Sequence, residues 1–539
     1  MRIALAQINP TLADFKYNKE KILNFIHQAQ QRKCEMVVFP ECTLFGYHPF
    51  DLLEREQLVK NQEAEMKDLI KRIPKGIAVI FGMITRNSGK MGRPYFNSAV
   101  MAVKGQKPRF FHKQLLPTGD VFDEARFIEP GDVSKNYFSW KGKKFFLTIC
   151  EDIWAWPDSK GHTPYRINPL AKVKKQKIDM VINLSASPYF VGKMKQREYV
   201  AGKTAAAFKA PILYANLVGA QDEIIFDGAS FVLDKKGKKL LSCQAFEEDI
   251  NVIDLDTLEV WHKNAKIESI EELRRALVLG IRDFCAKTGM KKVHLGSSGG
   301  IDSAVAAALA VDAMGPANVT TVALPGPYNA AMSLTLAEDL ARNLGVAFKV
   351  VDIAPMYEQV VRSLEEGISL KGFSVVNENL QARLRGLTLM AFSNQENSML
   401  LTTGNKSEYA SGYSTLYGDM CGGLAPLGDL TKEQVYALAR HYNKEGEVIP
   451  ESIITRAPSA ELRPNQKDQD SLPPYEDLDK SVTSLVEKFK PAKTATDKWL
   501  LPILGRTEFK RWQAPPILKI SGHAFGRGRR YPIAHRAKE

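Results

Sequence analysis

The sequence predicts an α/β chain made of two successive units, and three observations carry that reading. Residues 1–260 alternate short, β-rich apolar runs with longer helical patterns. After Leu255 the spacing changes, because in ESIEELRRALVLGIRDFCAKTG the apolar Ile270, Leu273, Leu277 and Ile281 recur at helical intervals. The second half then opens with a strand, KVHLG, a Gly/Ser loop, an Ala-rich helix, IDSAVAAALAVDAM, and a second strand, VTTVAL. That β-loop-α-β order calls for a parallel sheet with a nucleotide at the carboxyl end of its strand.

Taken in order, the runs IALAQ, MVVFP, IAVIFG, SAVMAV, KFFLTIC, MVINLS, PILYANL and SFVLD predict one α/β unit around a large sheet. The boundary falls in the polar stretch 256–267, giving units 1–260 and 268–539. Ser269 with Glu272 forms a capping-box pattern at the head of the next helix. The polar, proline-containing segment 456–475, RAPSAELRPNQKDQDSLPPY, predicts a long functional loop or lid. No internal repeat or low-complexity tract is apparent.

Composition narrows the classes. The chain of 539 residues is 44% hydrophobic and 25% charged, ordinary for a globular protein of several domains. Lys and Arg exceed Asp and Glu by 74 − 61 = 13, and the last thirty residues hold eight of the basic side chains against one acid. The surplus is therefore local; it indicates either a solvated terminus or a polyanionic ligand. Six cysteines without a C-x-x-C pair argue against a disulfide framework or zinc ribbon and fit a reducing cytosol. The start, MRIALAQINP, reads as a strand and not a secretory signal. With no uncharged apolar run of about 18 residues, no membrane span is expected, and the predicted location is the cytoplasm.

Three residues of the first half each end an apolar run: Glu41 in VVFPE, Lys113 in RFFHK and Cys150 in FFLTICED. Together they suffice for acyl transfer. A carboxylate takes the thiol proton, the thiolate attacks an amide carbon, and an ammonium steadies the oxyanion. A free thiol with a pKa near ~8.5 is mostly protonated at neutral pH, so such neighbours are needed.

This order and context resemble the nitrilase or carbon-nitrogen hydrolase superfamily. The resemblance implies an N-terminal α-β-β-α nitrilase-like sandwich in which Cys150 is the nucleophile, Glu41 the general base and Lys113 the stabiliser of the tetrahedral intermediate. Glu124 in VFDEARF matches a further acid of that family, and NLSASPYFVGK implies that Ser187 and Lys193 line a glutamine pocket. Where such proteins commonly carry an aromatic residue after the lysine, this chain has Gly119.

In HLGSSGGIDSA the Gly/Ser run lets backbone N–H groups converge on an anion, and the helix that follows directs its positive end there. No G-K-[ST] follows, so this is not the phosphate loop of kinases and GTPases. The full string S-G-G-x-D-S resembles the pyrophosphate loop of ATP pyrophosphatases, which form adenylates and release pyrophosphate. The resemblance implies a doubly wound parallel sheet in which Gly296, Ser297, Ser298, Gly299, Gly300, Ile301, Asp302 and Ser303 bind ATP and Asp302 helps to hold Mg²⁺.

Further segments, ENLQARLRG, LLTTGNKSEYASGYSTLYGDMCGG, LTKEQV, PSAELRPNQKDQDSLPPYE and EFKRWQAPP, look like the NAD synthetase family. By that resemblance Thr403 and Lys432 contact ATP, Glu408 serves Mg²⁺ and deamido-NAD, and Asn379, Arg383 and Lys510 contact deamido-NAD. Two departures are Gly296-Ser297 for the usual Gly-Leu, and Gly326 where serine is typical.

An amidase half joined to such a ligase half resembles the glutamine-dependent NAD synthetases. That implies glutamine, ATP and deamido-NAD as substrates, Mg²⁺ as the metal, a homo-oligomer, and no nucleic-acid or membrane partner. Two other readings stand beside it: another glutamine-fed, AMP-forming ligase, and a tRNA-modifying or nucleic-acid-binding ATP pyrophosphatase, the latter motivated by a pI near 9.2. Against nucleic acid, the chain lacks a zinc knuckle, an RNP-like aromatic strand and a C-x-x-C sulfur site.

Overall fold

A computed structural model describes all residues except 90, 159, 174–175, 262–267, 369, 371, 465 and 538–539. The chain divides into two compact units, Met1–Ile267 and Glu268–Glu539. Within the expected boundary stretch, residues 262–267 lie outside the described residues.

The first unit contains not one large sheet but two sheets of six strands. Its strands are β1 (Arg2–Gln7), β2 (Met36–Val38), β3 (Ala78–Arg86), β4 (Tyr95–Val103), β5 (Arg109–His112), β6 (Tyr137–Trp140) and β7 (Lys143–Ile149). They continue with β8 (Met180–Ser185), β9 (Ile212–Asn216), β10 (Val218–Gln221), β11 (Ile224–Asp227), β12 (Phe231–Leu233), β13 (Lys239–Ser242) and β14 (Asp249–Asp254). The sheet orders are β14-β1-β2-β3-β4-β5 and β13-β12-β9-β8-β7-β6, while β10 and β11 pair by themselves.

Strand alternation explains the layering. Ile3, Leu5, Met36 and Val38 share one core with Leu147, Ile149, Ile182 and Leu184 of the other sheet. The intervening Ala4, Ala6 and Val37 instead pack on Ile22, Ile26 and Leu69 of the helices Phe15–Gln31 and Glu56–Arg72. On the second sheet Phe146, Val181 and Ile212 face Val200, Ala201 and Ala205 of the helix Lys193–Phe208. The result is the expected four-layer α-β-β-α sandwich.

The second unit holds a four-stranded, all-parallel sheet of β15 (Val293–Gly296), β16 (Val319–Ala323), β17 (Ala347–Val350) and β18 (Met399–Leu400), ordered β17-β16-β15-β18. The Ala-rich helix Ile301–Met314 follows β15 and buries Ala304 through Ala310 all round, which is why its sequence lacks a polar face. The capping box at Ser269 does not form. Glu268 is the extended N-cap and Ser269 is already helical, so its hydroxyl sits one position late to cap the first turn.

Candidate functional site

In the first unit, β2 and β3 are parallel, while β3-β4 and β4-β5 are antiparallel, so β5 runs the same way as β2. Glu41 and Lys113, just past the ends of β2 and β5, therefore emerge at one edge. Both side chains are fully buried. The Lys113 ammonium donates to Glu41 Oε1 and Glu124 Oε1, each at 2.8 Å. Glu41 Oε1 also accepts from Asn97 at 2.7 Å, and Oε2 accepts the Ala186 backbone N–H at 2.8 Å. Tyr47 donates to Glu124 at 2.7 Å. Burial raises the Glu41 carboxyl pKa, with the Lys113 charge opposing. For Lys113 burial works downward, yet the two carboxylates carry its pKa well above the usual range.

Cys150 directly follows β7 with φ +42°, a left-handed conformation that a side chain seldom adopts, and begins the tight turn Cys150–Ile153. Asp152, which sequence reasoning missed, holds that turn. Its Oδ2 accepts from Ile149 N at 2.9 Å and its Oδ1 from Gln114 N and Leu115 N at 2.9 Å, tying the thiol's turn to the loop after Lys113. Burial, and next the Glu41 charge, push the Cys150 thiol pKa well up.

Ser187 lies buried with its hydroxyl accepting from Arg197 Nε at 3.0 Å; Arg197 is in turn held by both oxygens of Asp227 at 2.7 Å. Lys193 opens its helix and places its ammonium 3.9 Å from the Trp154 ring centroid. Gly119 is exposed, and a Cβ there would meet no heavy atom within 4 Å, so the loop is open at the position where the resemblance leads one to expect an aromatic side chain.

In the second unit a cavity of about 360 Å³ is lined by Gly296, Ser297, Ser298, Gly300, Ile301, Asp302, Ser303, Thr403, Glu408 and Lys432. Gly299 makes the turn. Its φ is +73° and a Cβ would stand 2.3 Å from the Ser333 carbonyl oxygen, so the position requires glycine. Ser303 donates to the Gly300 carbonyl at 3.0 Å, and the Gly300 N–H reaches Ser298 Oγ at 3.3 Å, folding the loop over the helix start. Among the described residues the buried Ser297 hydroxyl has no hydrogen-bond partner.

Lys432, almost fully buried, contacts Asp302 closely and lies 3.6 Å from Glu408. Burial, then the Asp302 charge, push the Glu408 carboxyl up to about 8. Two carboxylates sharing one ammonium suit a hard cation that completes its shell with phosphate oxygens and water. Among the described residues no group of three His, Cys, Asp or Glu side chains is set to hold a metal alone.

Asn379, Arg383 and Lys510 do not line this cavity. They gather instead on the turn 412–416, where Asn379 accepts from Thr415 at 2.7 Å, Arg383 donates to the Leu416 carbonyl at 3.3 Å, and Lys510 to Gly412 and Ser414 at 2.8 and 2.7 Å. Gly326 is backed by Arg385, whose Nη2 a Cβ at 326 would meet at 3.0 Å; Arg385, itself lining the cavity, was missed. The segment 456–475 forms part of the cavity wall through Pro458, Ser459, Ala460, Leu462 and Asp468. Glu461 anchors that wall to Ser333 at 2.8 Å and to Asn329 at 3.0 Å. Much of the basic tail is spent inside the fold. Arg511 and Arg529 pair with Glu508 at 2.8 and 3.3 Å, and Lys519 donates to the Ser521 carbonyl at 2.7 Å.

A buried Glu-Lys-Cys set on a four-layer sandwich and a pyrophosphate loop on a parallel sheet define a chain with an amidase unit and an adenylate-forming unit. The carbon-nitrogen hydrolase family matches residues 2–263 and the NAD synthase family residues 273–506. A glutamine-dependent NAD(+) synthetase of Synechocystis sp. is 42% identical over 99% of this chain and 98% of its own. The structure of glutamine-dependent NAD+ synthetase from Acinetobacter baumannii in complex with ADP matches at 34% identity and a TM-score of 0.77, covering 99% of this chain and 98% of that one. A glutamine-dependent NAD(+) synthetase from Cytophaga hutchinsonii, 21% identical, shares the fold with a TM-score of 0.81, over 99% of this chain and 97% of that one. The chain belongs to the glutamine-dependent NAD(+) synthetase family.

Proposed function

We propose that this chain amidates deamido-NAD to NAD with ATP, using ammonia that its first unit, residues 1–260, releases from glutamine and its second, 268–539, consumes. The observation that carries the reading is the buried Glu41-Lys113 ion pair at 2.8 Å, with Cys150 just past the end of β7, in the same chain as the Gly296–Ser303 loop. Glu41 takes the Cys150 proton, the thiolate attacks the glutamine amide carbon, and Lys113 steadies the oxyanion. As the intermediate collapses Glu41 returns the proton to the departing ammonia, and the thioester is then hydrolysed by water that Glu41 deprotonates. Ser187 and Lys193 hold the substrate, with Lys193 positioned for its carboxylate.

In the second unit the nicotinate carboxylate of deamido-NAD attacks the α-phosphorus of ATP. Ser298, Gly299, Gly300 and Ser303 hold the leaving pyrophosphate at the helix start. Ammonia displaces AMP from the adenylate. Thr403 and Lys432 serve ATP; Asn379, Arg383, Glu408 and Lys510 serve deamido-NAD. Asp302 and Glu408 would hold Mg²⁺, which neutralises developing phosphate charge when bound. All six cysteines are free, in keeping with a reducing, cytoplasmic setting. Among the described residues no helix is long and apolar enough to cross a membrane. We also expect a homo-oligomer, as resemblance to the family implies.

The test is product analysis with ATP, Mg²⁺, glutamine and deamido-NAD. NAD, AMP and pyrophosphate should rise together in equal amounts. NAD formation absent with deamido-NAD, but amide formation on xanthylate or aspartate, would move the chain to another glutamine-fed ligase.

A further inference from the structure

Glu151 follows the nucleophile in the chain, and its carboxylate accepts a 2.8 Å hydrogen bond from the Tyr165 hydroxyl. A phenol donating to a carboxylate at that distance is a charge-assisted bond. Tyr165 is half-buried, and the Thr163 hydroxyl fixes its carbonyl at 2.7 Å. Burial, and then the Glu151 charge, raise the Tyr165 hydroxyl pKa, with Lys113 and Cys150 also acting on it, so the ring stands within electrostatic reach of the reaction centre.

The opposite charge is Lys193, which acts on Glu151 and whose ammonium lies on the Trp154 face at 3.9 Å. A carboxylate that follows the nucleophile in the chain and an ammonium within its electrostatic reach complement the two charges of an amino acid. The loop after Lys113 adds no side chain at Gly119 and leaves open space there.

We propose that Tyr165 is a positioning residue that sets substrate specificity: it holds the Glu151 carboxylate for the α-ammonium of glutamine, so the amidase selects an amino acid over a plain ω-amide. This rests on the glutaminase reading above. A carboxylate already fixed by a phenol loses less side-chain freedom when the ammonium arrives. A site built to pair with that ammonium rejects an analogue without it, because the carboxylate is then left unpaired.

The experiment measures ammonia release by the full chain and by Y165F and E151Q, with glutamine and with 5-amino-5-oxopentanoate, which is glutamine without its α-amine. The wild type should prefer glutamine. In Y165F that preference should fall about tenfold, as a higher KM for glutamine with kcat within about twofold and the analogue unchanged. E151Q should lose at least as much. If both substrates decline in parallel in Y165F, Tyr165 only supports the fold and the proposal is overturned; an unchanged preference overturns it equally. A wild type that releases no ammonia from glutamine sinks the glutaminase reading itself, a result separate from either of these.

Discussion

The cysteine site and the nucleotide site use the same charge motif, two carboxylates on one ammonium, in different surroundings. Beside Cys150 the motif is closed within the fold: Lys113 stands between Glu41 and Glu124 at 2.8 Å each, all three side chains buried, and Arg197 grips both oxygens of Asp227 at 2.7 Å. In the nucleotide site Asp302 and Glu408 share Lys432 on the wall of a cavity of about 360 Å³, where the Ser297 hydroxyl has no partner among the described residues. The difference follows from the chemistry. A site that passes one proton between fixed groups gains from pairing before substrate arrives, since little reorganisation is left for the reaction. A site that receives a polyanion and a cation must keep donors and charge in reserve.

The comparison breaks most sharply at Cys150. C150A should reduce glutamine-driven NAD formation by roughly 10⁴-fold or more, the scale of a lost nucleophile, while NAD formation from added ammonium salt persists. Loss of both would show that the two chemistries are not separable. Next is G299A. With φ +73° and a Cβ 2.3 Å from the Ser333 carbonyl, the loop must deform, and we expect kcat/KM for ATP to fall about 10²-fold while ammonia release from glutamine is untouched. Equal loss in both assays would contradict the separation. R197M then tests the pre-paired side. Asp227 would be left as a buried, uncompensated charge, and the unfolding free energy of the first unit should drop by about 3–5 kcal/mol in urea denaturation. A change under about 1 kcal/mol would mean that solvent reaches the pair.

Which parts of this were legible in the sequence follows from the range of the interactions involved. Apolar runs revealed β1, β2, β3, β4, β7, β8, β9 and β12, since each strand records its own burial. It did not show two sheets instead of one, because that depends on which strand pairs with which. β18, two residues long, carries too little pattern to be seen. Glu41, Lys113 and Cys150 stood out because each follows an apolar run. Asp152, Arg197 and Tyr165 did not, because their roles lie in contacts reaching up to 38 residues along the chain. The dinucleotide set Asn379, Arg383 and Lys510 came from motif resemblance alone, and its gathering on the 412–416 turn comes from helices far apart in sequence. The basic tail was misleading as a charge count, because Arg511, Lys519 and Arg529 find their partners within the fold.

The smallest effect sharpens the same contrast through two histidines. His294 in the second unit has both ring nitrogens engaged, with the Ser398 hydroxyl at 2.8 Å and the Leu389 carbonyl at 2.9 Å. His48 in the first unit accepts the Phe50 N–H on Nδ1 at 3.2 Å and stacks on that ring, while its buried Nε2 has no partner among the described residues. Burial pushes the His48 pKa down to about 4 from an ordinary value of 6.5, with the Glu124 charge opposing. Between those values the unfolded chain binds the proton and the folded chain does not. The stabilisation is therefore complete above pH 6.5 and is lost as pH falls through about 4, a span worth up to roughly 3 kcal/mol. H48Q cannot titrate, so the urea midpoint of its first unit should fall less than that of the wild type between pH 7 and 4.5. Parallel midpoints would show that His48 protonates in place, with water supplying the partner its Nε2 lacks.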